Sequence, residues 1–242
     1  MFSLKNKTIL IISNEPWCDI WYSKHNWAYE LSKNNNVYFI NPSSRWSGGI
    51  HFNPKIEVEK ISETLSVISY TNVLPYTRFS LFRFFNEKRI VKKMLPFFKV
   101  ANTSELVFWT FDPFRFTKPT LFKASKSIYF VTDKFQTKLE GALISHVDYI
   151  ISVSSSLTNE FKSKKVLNLT HGISSDEFND TDDIDLDNFI LYVGNIDHRI
   201  NYVLLKKLLT NFPKEQFLFI GKVNFNTNTL DIANLFFQTF DW

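Results

Sequence analysis

The chain has 242 residues, 44% hydrophobic, 17% aromatic and 21% charged, with a formal net charge of +4. Apolar content at that level excludes intrinsic disorder, collagen-like repetition and a disulfide-held miniature fold, and the length suits one large domain or two smaller ones. Cys18 is the sole cysteine and has no internal partner, no apolar run approaches the roughly 18 residues that a bilayer crossing takes, and no signal-peptide core is present, so the expectation is a cytoplasmic protein, at most peripheral on the inner face of the cell membrane.

In chain order, β-branched and aromatic runs predict strands at Thr8–Ser13, Val37–Asn41, Leu65–Ser69, Leu106–Thr110, Ser127–Val131, Tyr149–Val153 and Val166–Leu169, then at Phe189–Val193 and Gln216–Ile220. Helical spacing falls between them at Ser23–Lys33, Arg83–Leu95, Lys138–His146, Leu157–Lys162 and Tyr202–Leu209. Strands that are continuously apolar are covered on both faces, and strand–helix alternation predicts an α/β protein with a doubly wound parallel sheet. Ligands of such sheets bind at the carboxyl ends of the strands, which directs attention to the loops that leave them.

Charge marks a division. Residues 1–175 carry 23 basic and 13 acidic side chains, residues 176–187 seven acidic and none basic, and residues 188–242 five basic and four acidic. The expectation is one complete Rossmann-like domain over 1–173, an acidic linker over 174–188 and an incomplete second Rossmann-like domain over 189–242. A basic first domain calls for an anionic partner. Nucleic acid is the weakest choice, because the basic residues are scattered among apolar ones without a recognition motif.

Several chemistries lose their support. The loop after the first strand, Asn14-Glu15-Pro16-Trp17-Cys18-Asp19, has none of the glycines that bring a backbone against a pyrophosphate, and no phosphate-binding Walker loop exists elsewhere. The histidines His25, His51, His146, His171 and His198 form no tight pair, so no metal site is expected. A Gly-x-Ser-x-Gly nucleophile elbow is also missing.

What remains is a pattern spread along the chain: Val37-Tyr38-Phe39-Ile40-Asn41-Pro42, then Tyr129-Phe130-Val131-Thr132-Asp133 and Glu140, then Val147 to Ser154, then Val166 to Ile173, and Ile190-Leu191-Tyr192-Val193-Gly194-Asn195 leading to Phe217-Leu218-Phe219-Ile220-Gly221. In order and spacing it resembles the bacterial glycosyltransferases of the GT-B fold, particularly those of teichuronic-acid and other surface polysaccharides. The resemblance covers nearly all of residues 8–221. It implies two Rossmann-like domains, the first for the acceptor and the second for a nucleotide-diphosphate-sugar, with transfer to an acceptor hydroxyl, no cofactor and no metal. It departs from the family at the end, where the donor domain stops after one strand–helix–strand unit. A non-catalytic remnant, or an acceptor-binding subunit whose partner or dimer mate supplies the donor half, is the alternative.

Candidate residues follow. The resemblance places Gly194 and Asn195 near the donor phosphates, where backbone amides meet an anion, with Arg199 as a phosphate partner or a solvated surface arginine. Asp133, at the carboxyl end of a strand, is the expected catalytic base for the acceptor hydroxyl, or else the cap of the next helix. His25 is a catalytic candidate that contacts acceptor or donor phosphate, or else is structural. Trp17 and Trp21 form a sugar platform or pack in the core, and His171 and Gly172 make an acceptor-side turn whose glycine takes a conformation other residues resist. Ser154 is expected to cap the helix after it. Lys88, Arg89, Lys92 and Lys93 share one helix face opposite Ile90, Val91 and Met94, which is either a solvated surface or a contact with anionic lipid, and Pro96 ends that helix.

Overall fold

Every residue of Thr8-Ile9-Leu10-Ile11-Ile12 is buried, and this strand, β1, is the axis of an eight-stranded sheet. The structure, a computed structural model, describes residues 4–44, 53–99, 105–159, 161, 165–172, 188–223 and the backbone of 235–238. The chain divides into two compact units, Met1–Ser174 and Ser175–Trp242. The acidic stretch 174–188, apart from Asn188, lies outside the described residues.

The first unit contains β1 (Thr8–Ile12), α1 (Ser23–Ser32), β2 (Asn36–Ile40), β3 (Ile56–Lys60), β4 (Leu65–Tyr70), α2 (Ser80–Met94), β5 (Leu106–Thr110), β6 (Lys126–Val131), α3 (Lys138–His146), β7 (Tyr149–Ser152) and β8 (Lys165–Asn168). The strand order is β3-β4-β2-β1-β5-β6-β7-β8. All neighbours are parallel except the antiparallel pair β3–β4. Successive side chains of a strand point to opposite faces, so Ile9 and Ile11 pack with Ala28 of α1, while Leu10 and Ile12 join the cluster of Ile90 and Met94 of α2 and Leu143 of α3. The sheet is therefore covered on both faces. Its order reverses between β1 and β5, and the carboxyl ends of that pair form the switch point where an open α/β sheet leaves a crevice.

Three differences from the sequence expectation have physical causes. Strand β3, Ile56-Glu57-Val58-Glu59-Lys60, is an exposed edge strand whose charges hide it from an apolar-run search and also protect the edge from pairing with another chain. Of the helix expected over Leu157–Lys162, Glu160 and Lys162 lie outside the described residues, and Leu157 closes a 3-10 turn at Ser155–Leu157 where the serines bond locally: Ser154 Oγ accepts the Ser156 N–H at 3.3 Å, the capping role expected of Ser154. Helix α2 starts three residues earlier than expected, at Ser80, and ends at Met94 ahead of a 3-10 turn containing Pro96.

The second unit contains β9 (Phe189–Val193), α4 (Tyr202–Asn211), β10 (Gln216–Ile220) and β11 (Leu235–Gln238), a parallel sheet in the order β11-β10-β9. Strand β11 falls in sequence that reads as weakly patterned, so this sheet has one strand more than expected. Asn201 Oδ1 caps α4 by accepting the Leu204 N–H at 3.0 Å, and Leu205 and Leu209 pack on Ile196, Phe217 and Phe219.

Candidate functional site

At the switch point of the first unit, one side chain ties four strand ends together. Arg115, in the loop after β5, donates from Nε to Asp112 Oδ2 at 2.6 Å and from Nη1 to the Asn41 carbonyl at 2.9 Å; it also donates to the Tyr70 hydroxyl and the Ser13 carbonyl. These partners follow or end β5, β2, β4 and β1. Asp112 is itself fixed, since its Oδ1 accepts the Phe114 N–H at 2.7 Å and its own N–H donates to Thr110 Oγ1 at 3.0 Å. Burial pushes the Tyr70 hydroxyl above its ordinary range, against the pull of Arg115. Behind Arg115, the buried Glu87 of α2 accepts the Phe116 N–H at 2.8 Å, and burial raises its carboxyl pKa.

Beside this cluster, Lys24 of α1 is buried, donates to Asn14 Oδ1 at 2.6 Å and pairs with Glu15. Burial lowers its pKa to about 8, and Asp133 and Asp112 oppose that shift, which places both carboxylates in the field of Lys24. Asp133 is exposed and its Oδ2 accepts from Thr132 Oγ1 at 3.1 Å. It does not cap the following helix. Thr137 does, its Oγ1 accepting the Glu140 N–H at 3.2 Å, while the Glu140 carboxylate takes the Tyr129 hydroxyl at 2.8 Å. The Asp133 carboxylate is therefore open to solvent at the carboxyl end of β6.

His25 is different. Its relative exposure is 0%, Nδ1 accepts the Tyr22 N–H at 3.0 Å, Nε2 donates to the Pro16 carbonyl at 3.0 Å, and the ring stacks on Phe39 at 5.0 Å between centroids. Both nitrogens are used in holding the first loop against α1, and burial lowers the pKa, so the ring is neutral and positions that loop. Trp17 is half-buried against Phe39, with Trp21 5.3 Å away and partly exposed. The turn at His171 and Gly172 is exposed, and the expectation for Gly172 is corrected: its φ is not positive and a Cβ there would meet nothing within 4 Å.

Lys88, Arg89, Lys92 and Lys93 are all exposed on α2, opposite the buried Ile90, Val91 and Met94. One and two turns before them, Leu81, Phe82 and Phe85 are exposed as well, with Tyr76 and Phe79 in the segment leading into the helix. The outer face of α2 thus runs from apolar to basic along its length.

In the second unit the strand ends are built from backbone. Gly194 after β9 has φ +152° and Gly221 after β10 has φ +149°, and a Cβ on Gly221 would lie 2.0 Å from the Gly194 carbonyl oxygen. Only glycine lets the two strand ends approach this closely. The Tyr192 hydroxyl donates to the Asn195 carbonyl at 3.1 Å. Arg199 is held by Asp197, with Nε 2.9 Å from Oδ1 and Nη2 2.7 Å from Oδ2, and this pairing draws the Asp197 pKa down to about 2. The arginine side chain nevertheless stays 65% exposed.

Arg115, Asp112 and Glu87 were not among the candidates read from sequence. A signal for two of them exists in Asp112-Pro113-Phe114-Arg115, a carboxylate and a guanidinium three residues apart directly after a central strand. Among the described residues, no three His, Cys, Asp or Glu side chains gather as metal ligands, and no helix is long and apolar enough to cross a membrane.

No family model and no curated protein matches the chain. Solved structures do. The trehalose-6-phosphate protein from E. coli bound with UDP-2-fluoro glucose aligns with TM-score 0.65 at 10% identity, over 97% of this chain and 74% of that one. Sucrose-phosphate synthase from Thermosynechococcus elongatus aligns with TM-score 0.62 at 11% identity, over 97% and 70%. The catalytic domain of starch synthase IV from Arabidopsis thaliana bound to ADP and acarbose aligns with TM-score 0.58 at 9% identity, over 98% and 75%. The fold of this chain is that of these GT-B proteins.

Proposed function

We propose that the protein is a glycosyltransferase that moves a sugar from a nucleotide-diphosphate-sugar to an acceptor hydroxyl, in the synthesis of a cell-surface polysaccharide. The observation that supports it most is the GT-B fold over 97% of the chain, shared with proteins described with UDP-2-fluoro glucose or ADP bound. In this reading the donor diphosphate lies against the strand ends at Gly194 and Asn195, where the glycine backbone admits close approach and Arg199 offers its exposed guanidinium edge. The acceptor lies at the carboxyl edge of the first sheet, between Trp17 and Trp21 on one side and His171 and Gly172 on the other. Asp133 takes the proton of the acceptor hydroxyl as that oxygen bonds to the anomeric carbon, and the nucleoside diphosphate leaves with the electrons of the broken carbon–oxygen bond. His25 holds the first loop in place and touches no substrate.

The polysaccharide assignment is supported by the outer face of α2. Exposed Leu81, Phe82 and Phe85 followed by four cations suit an anionic bilayer surface, with about 1 kcal/mol for each basic residue near the headgroups. Such a contact would hold the enzyme where a membrane-bound acceptor is built.

Thermal melting of the purified chain with UDP, ADP, GDP, CDP and their sugar conjugates tests the transferase reading. A ligand at a hundred times its Kd adds about 2.7 kcal/mol of stability, so one nucleotide is expected to raise Tm by several degrees. A cooperative melt that no nucleotide moves overturns the reading. Sedimentation with anionic vesicles at low salt, lost on replacing the four α2 cations with Gln, tests the membrane contact.

A further inference from the structure

Helix α1 starts at the carboxyl edge of the first sheet and runs back from it, and its exposed large side chains are rings. Just before and within it, Trp21 is 40% exposed, Tyr22 44% and Tyr29 41%, and no aliphatic side chain of the helix is exposed. The Trp17 and Trp21 centroids lie 5.3 Å apart and those of Trp21 and Tyr29 5.5 Å, with planes inclined by 57° and 54°. Trp17 is seated edge-on against the buried Phe39 at 5.0 Å. The three rings therefore form a connected, curved track, anchored in the core at its inner end and open to solvent at its outer end. From Tyr22 to Tyr29 the helix advances about 10 Å, so the track leaves the carboxyl edge behind.

Polar groups border the rings. Tyr22, Asn26, Tyr29 and Lys33 recur at three- and four-residue spacing and share one face of α1 and its caps. Asn26 is half-buried, and its side chain makes no hydrogen bond among the described residues. Lys33 Nζ rests 5.1 Å from the Tyr29 centroid and pairs with Glu30 at 2.8 Å, which leaves this face without net charge. The outer face of α2 is different, since Leu81, Phe82 and Phe85 there precede four cations. An anionic bilayer calls for those cations and has no use for an amide. A sugar ring has a flat apolar face of C–H groups and a rim of hydroxyls, and it calls for aromatic planes bordered by neutral hydrogen-bonding groups, which indole, phenol and the Asn26 amide supply.

We propose that the outer side of α1 is a glycan-holding surface outside the transfer site, on which Trp21 and Tyr29 stack successive sugars of a neutral oligosaccharide strand while Asn26, Glu30 and Lys33 meet its hydroxyls. A track about 10 Å long exceeds one sugar ring, so the ligand is a strand and not a monosaccharide. Each further ring contact is made by a strand already held at its neighbour, and affinity therefore rises with strand length. The choice of a glycan among molecules with flat apolar faces rests on the transferase reading, but occupancy of the surface requires no nucleotide.

The test is calorimetric titration of the full chain, without nucleotide, with malto-, cello- and chito-oligosaccharides from the monosaccharide upward and with heparin as the anionic control. It is repeated on Trp21→Ala, Tyr29→Ala, the double variant and Tyr29→Phe. At least one series is expected to bind, more tightly as it lengthens. The double variant is expected to weaken its longest member at least about tenfold, and Tyr29→Phe to keep most of the affinity. Both side chains are exposed, so an unchanged cooperative melt certifies the folding of the variants. No binding by any series, binding that ignores length, binding that survives in the double variant, or a preference for heparin overturns the proposal. Self-association that the double variant abolishes, without glycan binding, overturns it in favour of a contact between copies of this chain. A nucleotide-induced rise in Tm without glycan binding refutes this surface alone, whereas length-dependent glycan binding without any nucleotide shift upholds the surface and refutes the transferase reading.

Discussion

The two units end their strands in opposite ways. In the first, the carboxyl edge is assembled from side chains: Arg115 reaches partners after β1, β2 and β5 and at the end of β4, and Asn41, Asn86 and Asp112 fix the loops around it. In the second, Gly194 and Gly221 bring two backbones together with no side chain between them. The surfaces differ in the same direction. Strand β1 is wholly buried, whereas Val193 in β9 is 70% exposed. A side-chain edge fixes polar groups at many angles and suits recognition of one particular molecule. A glycine edge leaves backbone without intervening side chains and suits close approach of a group common to many ligands, such as a diphosphate.

The comparison breaks most severely at Arg115. Arg115→Ala leaves Asp112 buried without its cation and frees two carbonyls and the Tyr70 hydroxyl, so a loss of about 3–5 kcal/mol is expected. For a chain of this size that is a fall in Tm on the order of 10 °C. A loss under about 1 kcal/mol in chemical denaturation would show that the edge does not depend on this side chain.

Asp133→Asn sharpens the comparison by removing a group that the edge presents but does not need for folding. The carboxylate is exposed and, among the described residues, bonds to its neighbour Thr132 alone, so stability should hardly change. In the proposed role of general base it would contribute about 10²–10⁴ in kcat, and the loss should appear in kcat with KM nearly constant. An active Asn variant would take the base role away from Asp133.

Gly221→Ala probes the other edge. Its Cβ would stand 2.0 Å from the Gly194 oxygen and its φ of +149° suits no L side chain, so strain of about 1–3 kcal/mol is expected. Hydrogen exchange should speed up in β9 and β10 while amides of β1 and β5 keep their protection. The nucleotide shift should weaken along with it. Equal loosening in both units would contradict their separation.

How much of this was legible in the sequence follows from the range of each interaction. Helix α3 carries its own cap and apolar spacing, and the expected Lys138–His146 is the observed span. Strands β1 and β5 announce themselves as unbroken apolar runs. Arg115 gives no such sign, because its partners Asn41 and Ser13 lie 74 and 102 residues away and only folding brings them to it. His25 is ambiguous in sequence for a local reason: a histidine that receives the N–H of Tyr22 and donates to Pro16 reads the same there as one that faces a ligand, so both the structural and the catalytic reading stand. Gly172 and Gly221 look equivalent as glycines after strands. The difference is the neighbouring carbonyl at Gly221, and a single sequence does not contain it.

The smallest expected effect concerns Glu87, and pH reveals it. Burial is the largest influence on this carboxyl and raises its pKa against the Phe116 N–H and the charges of Arg83 and Arg115. A folded pKa above the unfolded one means that the proton stabilises the folded state. That contribution is complete below the unfolded carboxyl range, near pH 4, and disappears as pH rises through the folded value. Glu87→Gln keeps an oxygen for the Phe116 N–H and removes the titration. The variant should therefore gain stability relative to the wild type as pH rises from 4 toward 7, by less than any change above. Equal pH profiles for the two proteins would mean that Arg83 and Arg115 already balance the burial.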